Sequence, residues 1–183
     1  MGIYVALLRG INVGGRAKVA MSELRGLFDD LGYPGAKTYI QSGNVVFTAS
    51  LRTPARAASD IAARIEKDLG VRCSVLLRTG ADIATVLKGN PYVWAKAELS
   101  QLYVTFLDTA PNRTKAAELM VPKGETAEFT IAGREIYLRY PDGYGRTKFN
   151  NTYIEKRLGV VATTRNWNTV TKLHELASTD SQA

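Results

Sequence analysis

Cysteine and histidine each occur only once in this chain of 183 residues. The single cysteine, Cys73, excludes an internal disulfide and an all-cysteine zinc site. The single histidine, His174, has no cysteine or carboxylate motif beside it, which argues against a Ser-His-Asp or Cys-His nucleophile system. With no paired Cys/His spacing and no Asp-rich calcium loop, we expect no bound metal and no cofactor. Whether the protein is an enzyme stays open, and any catalytic residues stay unknown.

Long hydrophobic runs are absent as well. No stretch approaches the roughly 18 apolar residues that a membrane span requires. The opening MGIYVALLRG has neither the basic start nor the small-residue cleavage site of a signal peptide. The hydrophobic fraction of 45% and the charged fraction of 22% are those of an ordinary globular protein. We therefore expect a cytoplasmic protein with no membrane partner, and the sequence leaves its oligomeric state open.

Positive charge exceeds negative charge in this chain. Lys and Arg together number 24 against 17 Asp and Glu, which gives a formal net charge of +7. Such a balance favours polyanions over cations as partners. The basic residues are scattered and form no dense run, so an evenly solvated basic surface explains the charge equally well.

The apolar periodicity predicts the element order β-α-β-β-α-β twice in succession. The first copy has strands at Ile3–Arg9, Lys37–Gln41, Val45–Thr48 and Val71–Arg78 and helices at Met21–Leu31 and Pro54–Leu69. The second has strands at Leu102–Asp108, Glu128–Ala132, Glu135–Tyr140 and Val160–Thr164 and helices at Pro111–Met120 and Asn151–Leu158. Split β-α-β topology, also called ferredoxin-like, is the simplest fold for each order.

The predicted fold class is therefore α+β, with two ferredoxin-like halves. We predict a first half at 1–78, a connecting helical segment at 79–101, and a second half with an extra C-terminal helix at 102–183. The connecting segment has a helix at Ala81–Lys88 and a break at Asn90-Pro91, and the extra helix is Trp167–Ala177. The first strand is apolar on both faces, so either the second half or the last helix must cover the face that its own helices leave open. We therefore expect the two halves to pack together.

Three stretches of the chain form a specific combination: LLRGINVGGRAKVAM (Leu7–Met21), TYIQSGNVVF (Thr38–Phe47) and ATTRNWNTVTKL (Ala162–Leu173). Together they resemble the domain-of-unknown-function 1697 family of mostly bacterial proteins. The segments around Asn90-Pro91 and from Lys148 to Glu155 are also similar, so the resemblance spans nearly the whole chain. It implies an α+β fold with ferredoxin-like halves, and it implies no particular activity.

The loop Gly10–Lys18 leads from a strand into a helix, a geometry that can direct backbone N–H groups and basic side chains at an anion. Gly10 and Gly15 have the spacing of a nucleoside-triphosphate P-loop, but Arg16 replaces its lysine and Ala17 supplies no hydroxyl for magnesium. An unspecialised anion site would use Arg9, Asn12, Arg16 and Lys18. The alternative is a turn that needs glycine, with its basic side chains simply in solvent.

A second polar cluster lies at the tip of the predicted hairpin, in Gln41-Ser42-Gly43-Asn44. Glycine and asparagine favour hairpin turns for backbone reasons. Gln41 and Ser42 have no such backbone role, although a surface amide and hydroxyl need none. Gln41, Ser42 and Asn44 are therefore candidate ligand-binding residues.

The third cluster joins the last predicted strand to the last helix. Asn166 or Asn168 can cap that helix, and the helix start beside Arg165 suits an anion. Lys148, Asn151 and Glu155 precede it, and the last two lie one helical turn apart on one face. All six residues are candidates for binding. Surface ion pairs of Glu155 with Lys148 or Arg165 explain the acidic residue equally well.

These clusters support three hypotheses of function. The first is a binding module for a phosphorylated or anionic small molecule or nucleotide, which requires the loops Gly10–Lys18 and Arg165–Thr169 to converge. The second is a nucleic-acid-binding protein that uses its basic surface and an exposed sheet face bearing Tyr103, Tyr137 and Arg139. The third is a protein-interaction or structural module in which the polar residues only cap helices and join the halves.

Overall fold

The computed structural model describes residues 1–12 and 18–179. The chain divides into two compact units: unit 1 comprises Met1–Ala84 and Lys172–Ala183, and unit 2 comprises Thr85–Thr171. In the described ranges, no helix is long and apolar enough to cross a membrane. The predicted boundaries at 78 and 102 and the packing of one half against the other stay predictions.

Unit 1 contains a four-stranded antiparallel sheet with helices that follow its strands. Its elements are β1 (Gly2–Arg9), α1 (Met21–Asp30), β2 (Lys37–Tyr39), β3 (Asn44–Ala49), α2 (Pro54–Leu69) and β4 (Ser74–Thr79), and α3 (Gly80–Lys88) begins directly after them. The strand order across the sheet is β2-β3-β1-β4. Consecutive neighbours pair antiparallel, with Val5 opposite Val46 on one side and Arg78 on the other.

Unit 2 repeats the arrangement. A one-turn helix α4 (Pro91–Trp94) and a turn of 3₁₀ helix (Leu99–Gln101) precede β5 (Leu102–Leu107), α5 (Arg113–Ala117), β6 (Glu128–Ala132), β7 (Glu135–Arg139), α6 (Asn151–Leu158), β8 (Ala162–Asn166) and α7 (Trp167–Thr179). The strand order is β6-β7-β5-β8, again antiparallel throughout. In both sheets the first strand lies between the third and the fourth, as split β-α-β connections require. The α+β fold class is confirmed.

Several element boundaries differ from the prediction. The last strand of unit 1 begins at Ser74 rather than Val71, and α5 is confined to Arg113–Ala117. The expected break at Asn90-Pro91 is present, because α3 ends at Lys88; a further turn, α4, begins at Pro91, where the Asn90 side chain accepts the Tyr92 N–H and caps it. Pro and Asn at these positions are helix-start residues as well as breakers.

The core of unit 1 lies between the sheet and helices α1 and α2. Phe28 of α1 and Phe47 of β3 are 0% and 1% exposed, and their rings meet edge to face at 5.2 Å. Ile61 and Ile65 of α2 are equally buried and one turn apart. Gly70 ends α2 in the left-handed conformation, with φ of 67°. One face of this sheet is therefore a closed apolar layer.

The opposite face of this sheet is buried too. Val5 and Leu7 of β1 are 0% exposed although they alternate with the core residues Ala6 and Leu8. The prediction that β1 is apolar on both faces is thus confirmed. Within unit 1, Ala177 of α7 approaches the start of α3, where a Cβ on Gly80 would lie 3.5 Å from the Ala177 Cβ.

The core of unit 2 lies between its sheet and α6. Ile154 and Leu158 of α6 pack with Phe149, and with Ile136 and Leu138 of β7. Asn150 caps α6 through its side-chain oxygen, which accepts the Tyr153 N–H, and Gly159 ends the helix with φ of 71°.

Candidate functional site

Asn12 connects the two polar clusters of unit 1. Its side-chain Nδ2 donates to the Gln41 carbonyl at 2.8 Å and to the Val19 carbonyl at 3.0 Å. Its Oδ1 accepts the Val19 N–H at 2.9 Å. The amide therefore closes the loop after β1 upon itself and fastens it to the hairpin tip, although the two segments are 29 residues apart.

The hairpin tip is also bound directly to β1. The Leu8 N–H donates to the Gly43 carbonyl at 2.8 Å, and Leu7 pairs with Asn44. Gly43 fits closely: a Cβ there would lie 2.7 Å from Ile11 Cδ1 and 2.8 Å from Leu8 Cβ. We call this junction the polar corner. Its described residues are Arg9–Asn12, Lys18 and Gln41–Asn44.

The backbone of the polar corner, and of Ile40 directly before its hairpin tip, is unusual. Gly10 and Gly43 have φ of 96° and 75°, and the non-glycine residues Asn12 and Ile40 have φ of 51° and 49°. Asn tolerates the left-handed region, whereas a β-branched residue there is strained by about 1–3 kcal/mol. Ile40 is also 48% exposed, so burial of its side chain does not compensate. The adjoining chain must hold the tip in this conformation.

The predicted candidates of the polar corner differ in how available they are. Lys18 and Gln41 are exposed, and Arg9, Asn12 and Ser42 are half-buried. Asn44 is fully buried, and its Nδ2 donates to the Tyr39 carbonyl and to Ser42 Oγ. Asn44 therefore stabilises the hairpin, because its side-chain amide donates hydrogen bonds within the turn. Arg16 lies outside the described residues.

The candidates of unit 2 form a network between α6 and β8. Thr164 Oγ1 donates to Asn151 Oδ1 at 2.6 Å and lies 2.6 Å from Thr105 Oγ1. One turn further along α6, Glu155 Oε1 accepts the Ala162 N–H at 3.0 Å. The predicted common face of Asn151 and Glu155 is confirmed, since both reach the same strand. These hydrogen bonds join α6 to β8 and so to the sheet of unit 2.

Arg165 does not join this network. On β8 it alternates with Thr164 and Ala162, so it lies on the other face of the sheet, where it is 7% exposed. Its guanidinium donates to Thr163 Oγ1 at 2.8 Å and to the Thr164 carbonyl at 2.9 Å. The hypothesis that Arg165 shares a pocket with Asn151 and Glu155 is therefore wrong.

The remaining candidates of unit 2 divide between capping and exposure. Asn166 caps α7, because its Oδ1 accepts the Thr169 N–H at 2.8 Å. Asn168 and Lys148 are exposed. Gly10–Lys18 belongs to unit 1 and Arg165–Thr169 to unit 2, and the convergence of these loops stays a prediction.

The exposed tyrosine face that supported nucleic-acid binding does not exist. Tyr103 pairs with Leu138 and Val104 with Tyr137, so Tyr103 and Tyr137 lie on opposite faces of the sheet. Tyr137 is only 4% exposed, and Tyr103 packs its ring on Tyr140 and Tyr144 at 5.3 and 5.1 Å. The prediction failed because the sequence shows the alternation within each strand but not the register between strands, which decides which residues share a face.

Sequence reasoning missed two buried polar residues. Arg78 of β4 is 1% exposed, and its guanidinium donates to the Leu77 carbonyl at 3.0 Å. Asn90 is 0% exposed, and its Nδ2 has no hydrogen-bond partner within residues 1–12 and 18–179. The signal for the first was an arginine inside the apolar run of β4. For the second it was the family resemblance around Asn90-Pro91.

The thiol of Cys73 is protonated at neutral pH, and the described residues contain no cluster of metal-ligating side chains. Burial, with the nearby Glu66 carboxylate, raises the pKa of the Cys73 thiol to about 11, so the thiol stays protonated at neutral pH. No group of three or more His, Cys, Asp or Glu that could hold a metal ion occurs in the described ranges.

Tyr140 is the most strongly perturbed acid in unit 2. Burial raises its pKa well above the usual range, and the neighbouring Tyr144, Glu125 and Tyr103 raise it further. Its hydroxyl donates to the Phe149 carbonyl at 2.6 Å. The folded state therefore holds this proton more tightly than the unfolded chain, which releases it near pH 10.

Tyr140→Phe is expected to flatten the alkaline dependence of stability. The contribution of a raised pKa is fully present below about pH 10 and is lost as the pH rises above it. In urea unfolding measured between pH 8 and 11, the native protein should lose up to about 1.4 kcal/mol per pH unit more than the variant above pH 10. Equal slopes for the two proteins would contradict a perturbed Tyr140.

Comparison with known proteins identifies the family. The family model described as protein of unknown function (DUF1697) matches residues 1–137, well over half of the chain. The chain belongs to this family. The match includes two of the three stretches on which the resemblance rested and ends before Ala162–Leu173. No curated protein matches the chain.

A solved structure agrees with the fold. A conserved bacterial protein from Streptococcus pneumoniae superposes with a TM-score of 0.74 at 24% identity, over 96% of this chain and 98% of that chain. At this identity the likeness concerns the fold alone. The family is described as one of unknown function, and the neighbour only as a conserved bacterial protein.

Proposed function

We propose that the protein binds an anionic small molecule, a phosphorylated metabolite or nucleotide, at the polar corner of unit 1. The observation that carries this proposal is the Asn12 amide, which holds the loop after β1 against the hairpin tip. Two polar segments far apart in sequence thereby become one surface. A surface that is already assembled has less conformational entropy to lose when a ligand binds.

The charge of the two segments supports an anion. Residues 9–20 contain Arg9, Arg16 and Lys18 and no acidic residue. Residues 37–48 contain Lys37 and no acidic residue. The exposed Lys18 ammonium can approach a phosphate oxygen without first breaking a buried contact. The Glu23 carboxylate lies beside the end of the first segment, where it accepts the Ala20 N–H at 3.2 Å, but the basic residues of the two segments outnumber it. An excess of positive charge attracts anions.

The other candidates support an architectural role. Asn44, Asn151, Glu155 and Asn166 use their side chains to close a turn, join α6 to β8 and cap α7. Nucleic-acid binding has lost its tyrosine face and now rests on net charge alone. The polar corner therefore remains the best-supported binding site.

Lys18→Ala is expected to weaken binding of ATP or pyrophosphate about tenfold, because one charge-assisted contact is lost. Lys67→Ala is the matched control, because it removes the same charge from an exposed position on α2 of the same unit. It should change the dissociation constant by less than about twofold. Isothermal titration calorimetry at fixed ionic strength measures the dissociation constants of the native protein and both variants.

Two results would count against the proposal. If neither compound binds the native protein in magnesium-free buffer, the polar corner is not an anion site. If both variants lose the same affinity, binding reflects the diffuse charge of the chain rather than this corner, and it should then fall steeply with salt.

A further inference from the structure

A cavity of about 650 Å³ lies in unit 1 at the start of β1, beside the start of α3 and the last turns of α7. Sites for small molecules usually measure about 300–1,000 Å³. None of the described residues of the polar corner lines this cavity. It is therefore a second feature of unit 1, separate from the proposed anion site.

Small side chains create the space. The helices contribute Gly80, Ala81 and Ala84 from α3 and Ala177 from α7 to the lining. Protein interiors are normally filled to the density of organic crystals, and a leucine or phenylalanine at any of these positions would occupy the volume. The remaining wall includes the larger apolar side chain of Ile3. The cavity is therefore mainly apolar.

Two polar atoms of the lining lack partners. Thr48 Oγ1 and His174 Nε2 make no hydrogen bond to any residue of the described chain. The other imidazole nitrogen, His174 Nδ1, lies 2.9 Å from Ser178 Oγ, which fixes the ring from the side of its own helix. Apolar walls with a few unpaired polar groups are typical of sites that bind and orient a small molecule.

The lining also indicates the charge of the ligand. No Lys, Arg, Asp or Glu side chain occurs among the described residues that line the cavity. The α-amino group of Met1 is at the lining too, but Met1 is fully exposed to solvent. A charged ligand would therefore lose its hydration without gaining a buried opposite charge, which is costly. A neutral ring with hydrogen-bonding groups at its edge matches both the apolar wall of the cavity and its unpaired polar atoms.

We propose that this cavity binds an uncharged, ring-bearing small molecule such as a nucleoside or an indole. Its ring lies against the glycine and alanine positions of α3 and α7, and its polar edge meets the Thr48 hydroxyl and the His174 imidazole.

His174 provides a direct test because it is the only histidine of the chain. Its imidazole proton signals can be followed by NMR without ambiguity while the full-length protein is titrated with adenosine, indole or inorganic phosphate at matched pH and ionic strength. Adenosine and indole at millimolar concentration are expected to shift these signals in a saturable manner. Inorganic phosphate should leave them unchanged.

Two variants locate the binding. Ala177→Leu fills the cavity and should abolish the saturable shift, whereas Ala63→Leu, the same change on the exposed face of α2, should preserve it. Thr48→Val removes one hydroxyl at an exposed strand position that favours β-branched residues, so the fold is retained if Ala177→Leu proves unstable. It should weaken adenosine binding about three- to tenfold.

Each contrary result overturns the proposal. The cavity is not such a site if neither neutral compound moves the His174 signals, or if phosphate moves them as strongly as adenosine does. It is likewise refuted if adenosine binds the Ala177→Leu and Thr48→Val variants with native affinity. None of these results depends on Lys18. Failure of the cavity proposal would therefore not decide whether the polar corner binds an anion.

Discussion

Gly43→Ala is expected to lower the free energy of unfolding by about 2–5 kcal/mol, which sums a backbone term and a steric term. The φ of 75° disfavours any residue with a Cβ. The new methyl group would also meet Leu8 Cβ at 2.8 Å and Ile11 Cδ1 at 2.7 Å. Because Leu8 presents its Cβ rather than a flexible end, the backbone of the hairpin tip must move.

Gly70→Ala separates these two contributions. Gly70 has a similar φ of 67°, but a Cβ there would meet no atom within 4 Å. This control should lose only the backbone term of about 1–2 kcal/mol. Urea unfolding of both variants measures the difference, and equal losses would show that the packing around Gly43 is looser than described. Gly43→Ala should also weaken anion binding at the polar corner, whereas Gly70→Ala should not.

Phe47→Ala is expected to lower the free energy of unfolding by about 3–5 kcal/mol. Phe47 is 1% exposed, and its ring lies 4.9 Å from Tyr33, 5.2 Å from Phe28 and 5.8 Å from Tyr4. Truncation would leave a cavity and remove three aromatic contacts at once. Chemical denaturation followed by circular dichroism gives the change.

Two controls make this second prediction specific. Phe47→Leu retains most of the buried apolar volume and should cost about half as much. Trp94→Ala removes a larger ring from a position that is 77% exposed, and should change stability by less than about 1 kcal/mol. A loss at Trp94 equal to that at Phe47 would contradict the assignment of the core.

Local chemistry predicted most of the fold. Thr53-Pro54 and Gly70 enclose α2 as expected, and Gly159 ends α6. The hairpin turn at Gly133-Arg134 lies between β6 and β7 as predicted. These signals act over a few residues, through fixed φ, free N–H groups or tolerance of the left-handed region, so they can be read without knowledge of the partner strands.

The candidate site was predicted in parts rather than as a whole. The polar loop after β1 and the hairpin tip were both found, but their connection through Asn12 was not, because it depends on how β1 and β3 pair. Arg165 is a predicted anion-binding residue, yet alternation along β8 places its side chain on a buried face. Polarity identifies residues that need partners and does not reveal whether the partner is a ligand or the protein.

The sequence by itself determined the element order, the ends of α2 and α6 and the absence of cysteine and histidine pairs, because each follows from residue identity and short-range geometry. Tertiary structure decided the register that separates Tyr103 from Tyr137 and the contact between Asn12 and Gln41. It also decided which small residues meet at the cavity beside His174. These features arise from strand pairing and helix packing, which bring distant segments together only when the whole chain minimises its exposed apolar surface.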